Sequence, residues 1–388
     1  MGNIKKAVDV IREENLSGWL FYNVHHRDKI ADLFLNIPEE RINTRPWIYA
    51  VPVRGKPLKL VHAIEASILD ELPGRKIVYN SRQKFLEGLD ELKEVGTDYA
   101  VQYSTWNPEI SFMDHGVAEL LKSTGFNIVS SENLILKTLG VLDDSGISSH
   151  QNAAEILYSS VNTEWNKIFN MFLRERDVKE GDIQGWFSEI FKEENMISDS
   201  PPIVASGKNS GDPHYMPKNG GAVLKRDTLV QFDIWAKFDT KNAVYADISW
   251  VGYLGEKIPP EMEKLFSTVK RARDETVNFI SEKISAGMPV SGADADRKER
   301  EVLTAGGYSD YIKHRTGHSI GTEVHGFGIN LDSIEFPDER NLINGSCFSV
   351  EPGLYLPEYG MRTEIDVYIK KEKVVISGSK PQENLLHF

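Results

Sequence analysis

The sequence predicts a two-domain α+β chain, an α/β domain over residues 1–145 followed over 150–388 by a duplicated helix-helix-β-hairpin domain. Three observations carry this. The 388 residues exceed one typical domain, and either part is long enough to bury its own core. Helical and strand patterns alternate through the first 145 residues. Beyond residue 150 the order long helix, shorter helix, strands is run twice, and each run ends in a pair of strand carboxylates.

In the first domain IKKAVDVIREE reads as a helix, GWLFYNV as a buried strand and PWIYAVPV as another. KIVYN, DYAVQY, a helix through HGVAELLKSTG and FNIVSS follow. No phosphate-binding glycine loop occurs here, and His25 and His26 in YNVHHRDK read as a solvated loop. Gly146 to Ser149 read as a linker. In the long helix that follows, Leu157, Val161, Trp165, Phe169 and Phe172 recur at helical spacing. The second long helix carries Leu265, Val269, Ala272, Thr276 and Ile280. Gly181 and Gly287, 106 residues apart, are taken as matching corners of the repeat.

Composition narrows the function. A formal charge of −13 repels phosphate backbones and anionic lipid, which argues against nucleic-acid and membrane partners. The single cysteine, Cys347, excludes an intramolecular disulfide framework and suits a reducing compartment. The N-terminal stretch MGNIKKAVDVIREENL is too polar for a signal peptide, and no apolar run approaches 18 residues. The expectation is a cytoplasmic protein.

The stretch TLVQFDIWAKFDTKNAVYADISWVGYL is the most informative. Val230, Phe232, Ile234 and Ala236 alternate with Gln231, Asp233, Trp235 and Lys237; DTKN is turn chemistry, and alternation resumes through Asp247. A turn centred on Thr240 sets Asp233 opposite Asp247, their Cβ atoms roughly 5 Å apart. Two carboxylates so placed repel. Either a divalent cation lies between them, or one is protonated or faces water. The same question arises in CFSVEPGLYLPEYGMRTEIDVYI, where Glu351 ends one apolar strand. There Arg362, Glu364 and Asp366 share a strand face, which a surface salt-bridge ladder would also explain. The repeat favours the cation: Asp233 to Glu351 is 118 residues and Asp247 to Glu364 is 117. Four carboxylates and an imidazole, with no thiolate, suit two divalent ions, Mn²⁺ first, with Zn²⁺, Co²⁺ or Fe²⁺ as other ions such donors take.

HRTGHSIGTEVHG places His314, His318 and His325 between the two carboxylate pairs. Gly317, Gly321, Gly326 and Gly328 each cost about 1 kcal/mol inside a helix, so an extended, glycine-permitted loop is expected. His214, in ASGKNSGDPHYMP, is a fourth candidate.

These residues resemble the pita-bread-fold metallopeptidases that include aminopeptidase P, prolidase and methionine aminopeptidase. The resemblance covers 150–388, with Asp233, Asp247, His318 in RTGHSIG, Glu351 in VEPGLY and Glu364 in MRTE in the family's order. It implies that Asp247 and Glu364 bridge two metal ions, that Asp233 holds one, and that His318 and Glu351 hold the other. It further implies that His214 and His325 face the substrate, that His314 lies close to the site, and that Arg362, the arginine found beside the last ligand in the proline-specific branch, binds the substrate. The first domain is similar to the one that precedes the catalytic domain in aminopeptidase P, prolidase and creatinase, which favours that branch and implies a homodimer.

The implied activity is hydrolysis of an N-terminal peptide bond, Xaa-Pro in particular, by a hydroxide shared between two metals, with Glu351 moving a proton to the leaving nitrogen. The rivals are a same-fold hydrolase or lyase acting on a small non-peptide metabolite, and an inactive binding protein. The chain departs from the family at Trp235, where relatives carry Gly, at Ser249-Trp250, where they often carry Thr-Arg, and at Gly326, where many carry Glu. Fourteen residues separate the two aspartates, a longer hairpin than in most relatives. Trp235 is expected to line and narrow the substrate pocket.

Overall fold

Why the first unit packs as it does follows from strands buried on both faces, which need helices on both sides. The computed structural model describes residues 2–388, and the chain divides into two compact units, Met1–Leu139 and Gly140–Phe388. In the first, α1 (Gly2–Glu13) precedes β1 (Gly18–Asn23), α2 (Lys29–Leu35), β2 (Trp47–Pro52), β3 (Leu58–His62) and β4 (Arg75–Tyr79). Then come α3 (Arg82–Leu92), β5 (Asp98–Val101), α4 (His115–Ser123), β6 (Asn127–Ser130) and α5 (Glu132–Thr138). The six strands form one mixed sheet in the order β4-β3-β2-β1-β5-β6. One face of β1 and β2 contributes Leu20, Ile48 and Ala50 to a core with Leu89 and Leu121 from the helices. On the other face Trp19 and Phe21 pack on Phe34 of α2. His26 is not the solvated residue expected: its ring is held between Asp32 Oδ2 (3.0 Å) and the Arg41 carbonyl (2.7 Å).

The second unit holds α6 (Asp144–Leu173), α7 (Glu180–Glu193), β7 (Met196–Ile197), β8 (Ile203–Ser206), β9 (Leu229–Phe238) and β10 (Ala246–Tyr253). Its second half holds α8 (Pro260–Ser285), α9 (Gly292–Ala305), β11 (Cys347–Val350), β12 (Gly353–Tyr355), β13 (Gly360–Arg362), β14 (Ile365–Lys370), β15 (Lys373–Ile376) and β16 (Leu386–His387). This is the mixed α and β pita-bread architecture. Gly146–Ser149, read above as a linker, are the first turns of α6, because the Asp143 side chain caps the helix by accepting from Gly146 N–H. Leu157, Val161 and Trp165 are buried as expected, against β9 and β10, but Ile168 rather than Phe169 continues the stripe. All five residues expected on α8 are buried. No helix among the described residues is long and apolar enough to cross a membrane.

The duplication is real in the backbone, but its corners are not those the glycines suggested. α6 is followed by Glu175 (φ 53°) and α8 by Gly287 (φ 64°), each in the left-handed conformation that ends a helix, 112 residues apart. The next helices begin alike, 112 residues apart: Asp182 Oδ2 accepts from Lys179 N–H, and Asp294 Oδ2 from Ser291 N–H. Gly181 therefore does not match Gly287. It is small for another reason, since a Cβ there would lie 2.9 Å from the backbone of Gly220.

The hairpin register also differs from expectation. β9 and β10 pair Asp233 with Ser249 and Asp247 with Trp235, so the turn centres on Lys241 rather than Thr240. Two features accompany the shift. Asn242 takes a left-handed φ of 62°, and Tyr245 N–H bonds the Gly321 carbonyl instead of joining the ladder. A two-residue shift preserves the pleat, so Asp233 and Asp247 still project from one face, as diagonal neighbours.

Candidate metal centre

Two short links join the halves of the second unit. Glu364 N–H donates to the Ser249 carbonyl (3.0 Å), and Asp247 N–H donates to Asp366 Oδ2 (2.8 Å). These links bring β10, with Asp247, against the segment carrying Glu364. The stretch 360–370 is not one continuous strand: β13 stops at Arg362 and β14 starts at Ile365, leaving Thr363 and Glu364 at the break. Arg362, Glu364 and Asp366 are 4%, 2% and 0% exposed, which rules out a surface salt-bridge ladder.

Asp247, His318 and Glu364 each offer one donor atom within 4.8 Å of the others, and all three are buried. The other two expected ligands adjoin them. Glu351 Oε1 and Asp247 Oδ2 each lie 3.6 Å from His318 Nε2. Asp233 Oδ1 lies 3.0 Å, and Glu364 Oε2 2.8 Å, from Ser249 Oγ. His318 Nδ1 faces the Ser319 carbonyl at 3.2 Å, which sets the tautomer with Nε2 as the acceptor turned toward the carboxylates. The glycines make this possible: a Cβ on Gly317 would lie 2.0 Å from the Ser349 carbonyl oxygen, so only glycine lets the histidine loop lie against β11.

The charge inventory favours a bound cation. Four carboxylates converge here, with Asp366 behind them, and Arg362 is the guanidinium among them. Its Nη2 binds Asp233, its Nε reaches Ser249 Oγ (3.0 Å) and approaches Glu351 (4.0 Å), and its Nη1 donates to Tyr355 OH (2.6 Å). Ser249 has one hydroxyl proton to share between two carboxylates. Burial, then Asp233 and Glu351, pushes Asp247 well above the usual carboxylate range. Burial, then Asp247, does the same to Glu364. Asp247 Oδ1 is buried without a hydrogen-bond partner. Divalent cations fit these residues: they would satisfy that oxygen and remove the repulsion.

The remaining expected residues separate into two groups. Exposed His325 stands edge-on to His318, with ring centroids 4.3 Å apart. A proton on the neighbouring His318 ring would oppose one on His325; that repulsion first, then burial, Arg315 and His214, lowers the His325 pKa to about 3. His214 is exposed on the loop 206–222. His314 is held instead: its Nδ1 faces the Arg315 carbonyl (2.7 Å) and its Nε2 accepts from Tyr355 OH (2.7 Å). Arg362, expected on the substrate, is buried and commits its guanidinium to Asp233, Ser249 and Tyr355. Trp235 lies half-buried directly across from Asp247, with its Nε1 donating to Asp199 Oδ1 (2.7 Å).

Several residues that matter here were not read as site residues from the sequence. Ser249 joins the two halves of the carboxylate set, and Tyr355 joins Arg362 to His314. Glu180, fully buried at the start of α7, accepts from Ser206 N–H and Oγ, Asn209, Tyr215 OH and Ala222 N–H, gathering the loop that carries His214. Asp296 of α9 accepts from Thr316 N–H and Oγ, Ser333 N–H and Oγ, and Arg300, gathering the other histidine loop. Beneath Asp247, His150 receives a hydrogen bond from Ser377 Oγ (2.7 Å), and buried Cys347 Sγ lies 3.6 Å from the same ring.

A family model described as metallopeptidase family M24 matches residues 152–371. The chain is 32% identical to an Xaa-Pro dipeptidase of Lactobacillus delbrueckii over 42% of this chain and 40% of that protein. It superposes on a dipeptidase from Mycobacterium ulcerans with a TM-score of 0.75 at 21% identity, covering 99% of this chain and 96% of that one. An Xaa-Pro dipeptidase from Bacillus anthracis matches with a TM-score of 0.69 at 21% identity, covering 100% of this chain and 99% of that one.

Proposed function

The chain belongs to metallopeptidase family M24, and from that premise we propose that it hydrolyses the N-terminal peptide bond of Xaa-Pro peptides. Asp233, Asp247, His318, Glu351 and Glu364 would hold two divalent ions. The observation that carries this is the convergence of Asp247 and Glu364, one buried carboxylate from each half, on the His318 imidazole, with Asp247 Oδ1 unpartnered. When bound, such ions supply Lewis acidity, polarising a carbonyl and acidifying water at neutral pH.

The chain's own residues do the rest. Arg362 fixes Asp233, and its charge offsets part of the carboxylate repulsion. Tyr355 and His314 hold Arg362 from behind through the hydrogen bonds given above. Neutral His325 offers an N–H to the scissile carbonyl oxygen, and His214 is the second donor on the open side. Glu351 is the one carboxylate of the four that is not fully buried, which suits it to carry a proton to the leaving nitrogen. Mn²⁺ as the metal, a homodimer and a cytoplasmic location belong to the same reading.

A panel of Xaa-Pro dipeptides and longer Xaa-Pro peptides, assayed after exhaustive chelation and again after adding Mn²⁺, Co²⁺ or Zn²⁺, tests the proposal. Proline-dependent cleavage that vanishes on chelation and returns with metal is expected. Full activity in the chelated protein would refute the metal mechanism. Cleavage of no peptide, with intact metal binding, would favour a small non-peptide substrate.

A further inference from the structure

The face of β9 that bears Asp233 also bears Trp235 and Lys237, and the residue directly across from Trp235 is Asp247. Side chains paired in this way project from the same face, roughly 5 Å apart at Cβ. The indole therefore stands at the edge of the carboxylate cluster. It is also fixed. Its Nε1 donates to Asp199 Oδ1 at 2.7 Å, and the ring packs with Val324 on the cluster that contains Tyr245 and Ile320. Lys237 reinforces this corner: its Nζ bonds the Thr322 carbonyl and lies 4.7 Å from the Tyr245 ring centroid, tying the His325 loop to β9.

The charges along the site have a direction. Beside Trp235 stands Asp199, a carboxylate outside the ligand set that accepts from the indole and is close enough to act on Asp247. Beside His325 stands the guanidinium of Arg315, close enough to act on its ring. A peptide entering this field sets its ammonium group toward Asp199 and its carboxylate end toward Arg315. The residue carrying the ammonium group then meets the indole.

We propose that Trp235, held by Asp199, is the specificity-determining wall of the subsite for the substrate's N-terminal residue and restricts that residue to small side chains. The inference rests on the peptidase reading above. A fixed indole excludes volume that a glycine at 235 would leave open, and steric exclusion of this kind discriminates substrates by roughly 10–200-fold per increment of size.

The test compares kcat/KM for Ala-Pro and Phe-Pro in metal-loaded wild type, Trp235→Gly and Trp235→Leu, with melting temperatures to verify folding. Wild type should prefer Ala-Pro by at least about tenfold, and Trp235→Gly should shift the ratio toward Phe-Pro by a similar factor. Trp235→Leu, which keeps the strand apolar if the glycine variant unfolds, should shift it partway. Asp199→Asn, whose amide oxygen still accepts from the indole, should keep the size preference and raise KM for both peptides through loss of the charge. An unchanged Ala-Pro to Phe-Pro ratio in a folded Trp235 variant overturns the wall while leaving the peptidase standing. Wild type that cleaves neither peptide overturns the function, and the subsite with it.

Discussion

The two halves of the second unit solve the same problem with different chemistry. In the first, a buried glutamate at the start of α7, Glu180, takes five donors and draws in a loop that presents exposed His214. In the second, a buried aspartate on α9, Asp296, also takes five donors, and the loop it draws in runs from His314 through buried His318 to His325. The strand acids differ too. Asp233 faces Ser249 and reaches Asp247 diagonally, whereas Glu351 and Glu364 directly flank the last pair of their ladder, Val350 with Ile365. One half thus contributes acids and an open donor, the other acids and the ligand imidazole. Duplication supplied the frame, and the substitutions on it divided the labour.

The comparison breaks most completely where the halves meet. Asp247→Asn and Glu364→Gln should each abolish bound metal and lower kcat/KM by more than about 100-fold, the upper range for loss of a mere supporting partner of a ligand. Metal content by elemental analysis and peptide kinetics measure both, and equal losses from the two halves would show that neither pair binds alone.

The hubs come next. Glu180→Ala and Asp296→Ala should each lower stability by about 3–5 kcal/mol in chemical denaturation, because buried donors lose a charged acceptor. If the loops serve as described, Glu180→Ala raises KM through His214, while Asp296→Ala also weakens metal binding through His318.

Ser249→Ala should be milder. One hydroxyl is worth about 1 kcal/mol of stability, and metal affinity should fall by roughly 10–100-fold as Asp233 and Glu364 lose their shared partner. A calorimetric titration with Mn²⁺ reads this directly.

The smallest effect is a dependence on pH. Beside Asp296 lies Glu299, whose Oε2 is buried without a hydrogen-bond partner and whose pKa burial and Asp296 push up to about 8. A carboxyl with a folded pKa above its unfolded value favours the native state most at low pH. That contribution fades as pH rises from about 4.5 toward 8. The stability of Glu299→Gln relative to wild type should therefore climb across that window.

What the sequence disclosed depended on how local the signal was. Asp233, Asp247, His318, Glu351 and Glu364 interrupt apolar or glycine-rich runs, so their chemistry was visible residue by residue. The hairpin register was not, because DTKN is compatible with more than one centre and the choice is made by Gly321, over seventy residues away. Glu180 and Asp296 read as ordinary acids on amphipathic helices, since their loop donors lie 26 to 42 and 20 to 37 residues distant. Arg362 was recognised by its place beside Glu364, but its partners lie on β9, β10 and β12. The glycine corners misled because the left-handed residue matching Gly287 is a glutamate.

Cys347 gives this arrangement a built-in clock. It is the chain's single thiol, buried on β11 below Asp247, and burial holds it protonated and inert. A thiol reagent can react with it only in molecules whose β11–β14 pairing has opened, so the labelling rate counts openings of the very strands that bring Glu351 and Glu364 together. Adding divalent metal should slow that rate by the factor one plus the ratio of free metal to its dissociation constant, letting one sulfur atom report site occupancy without any substrate.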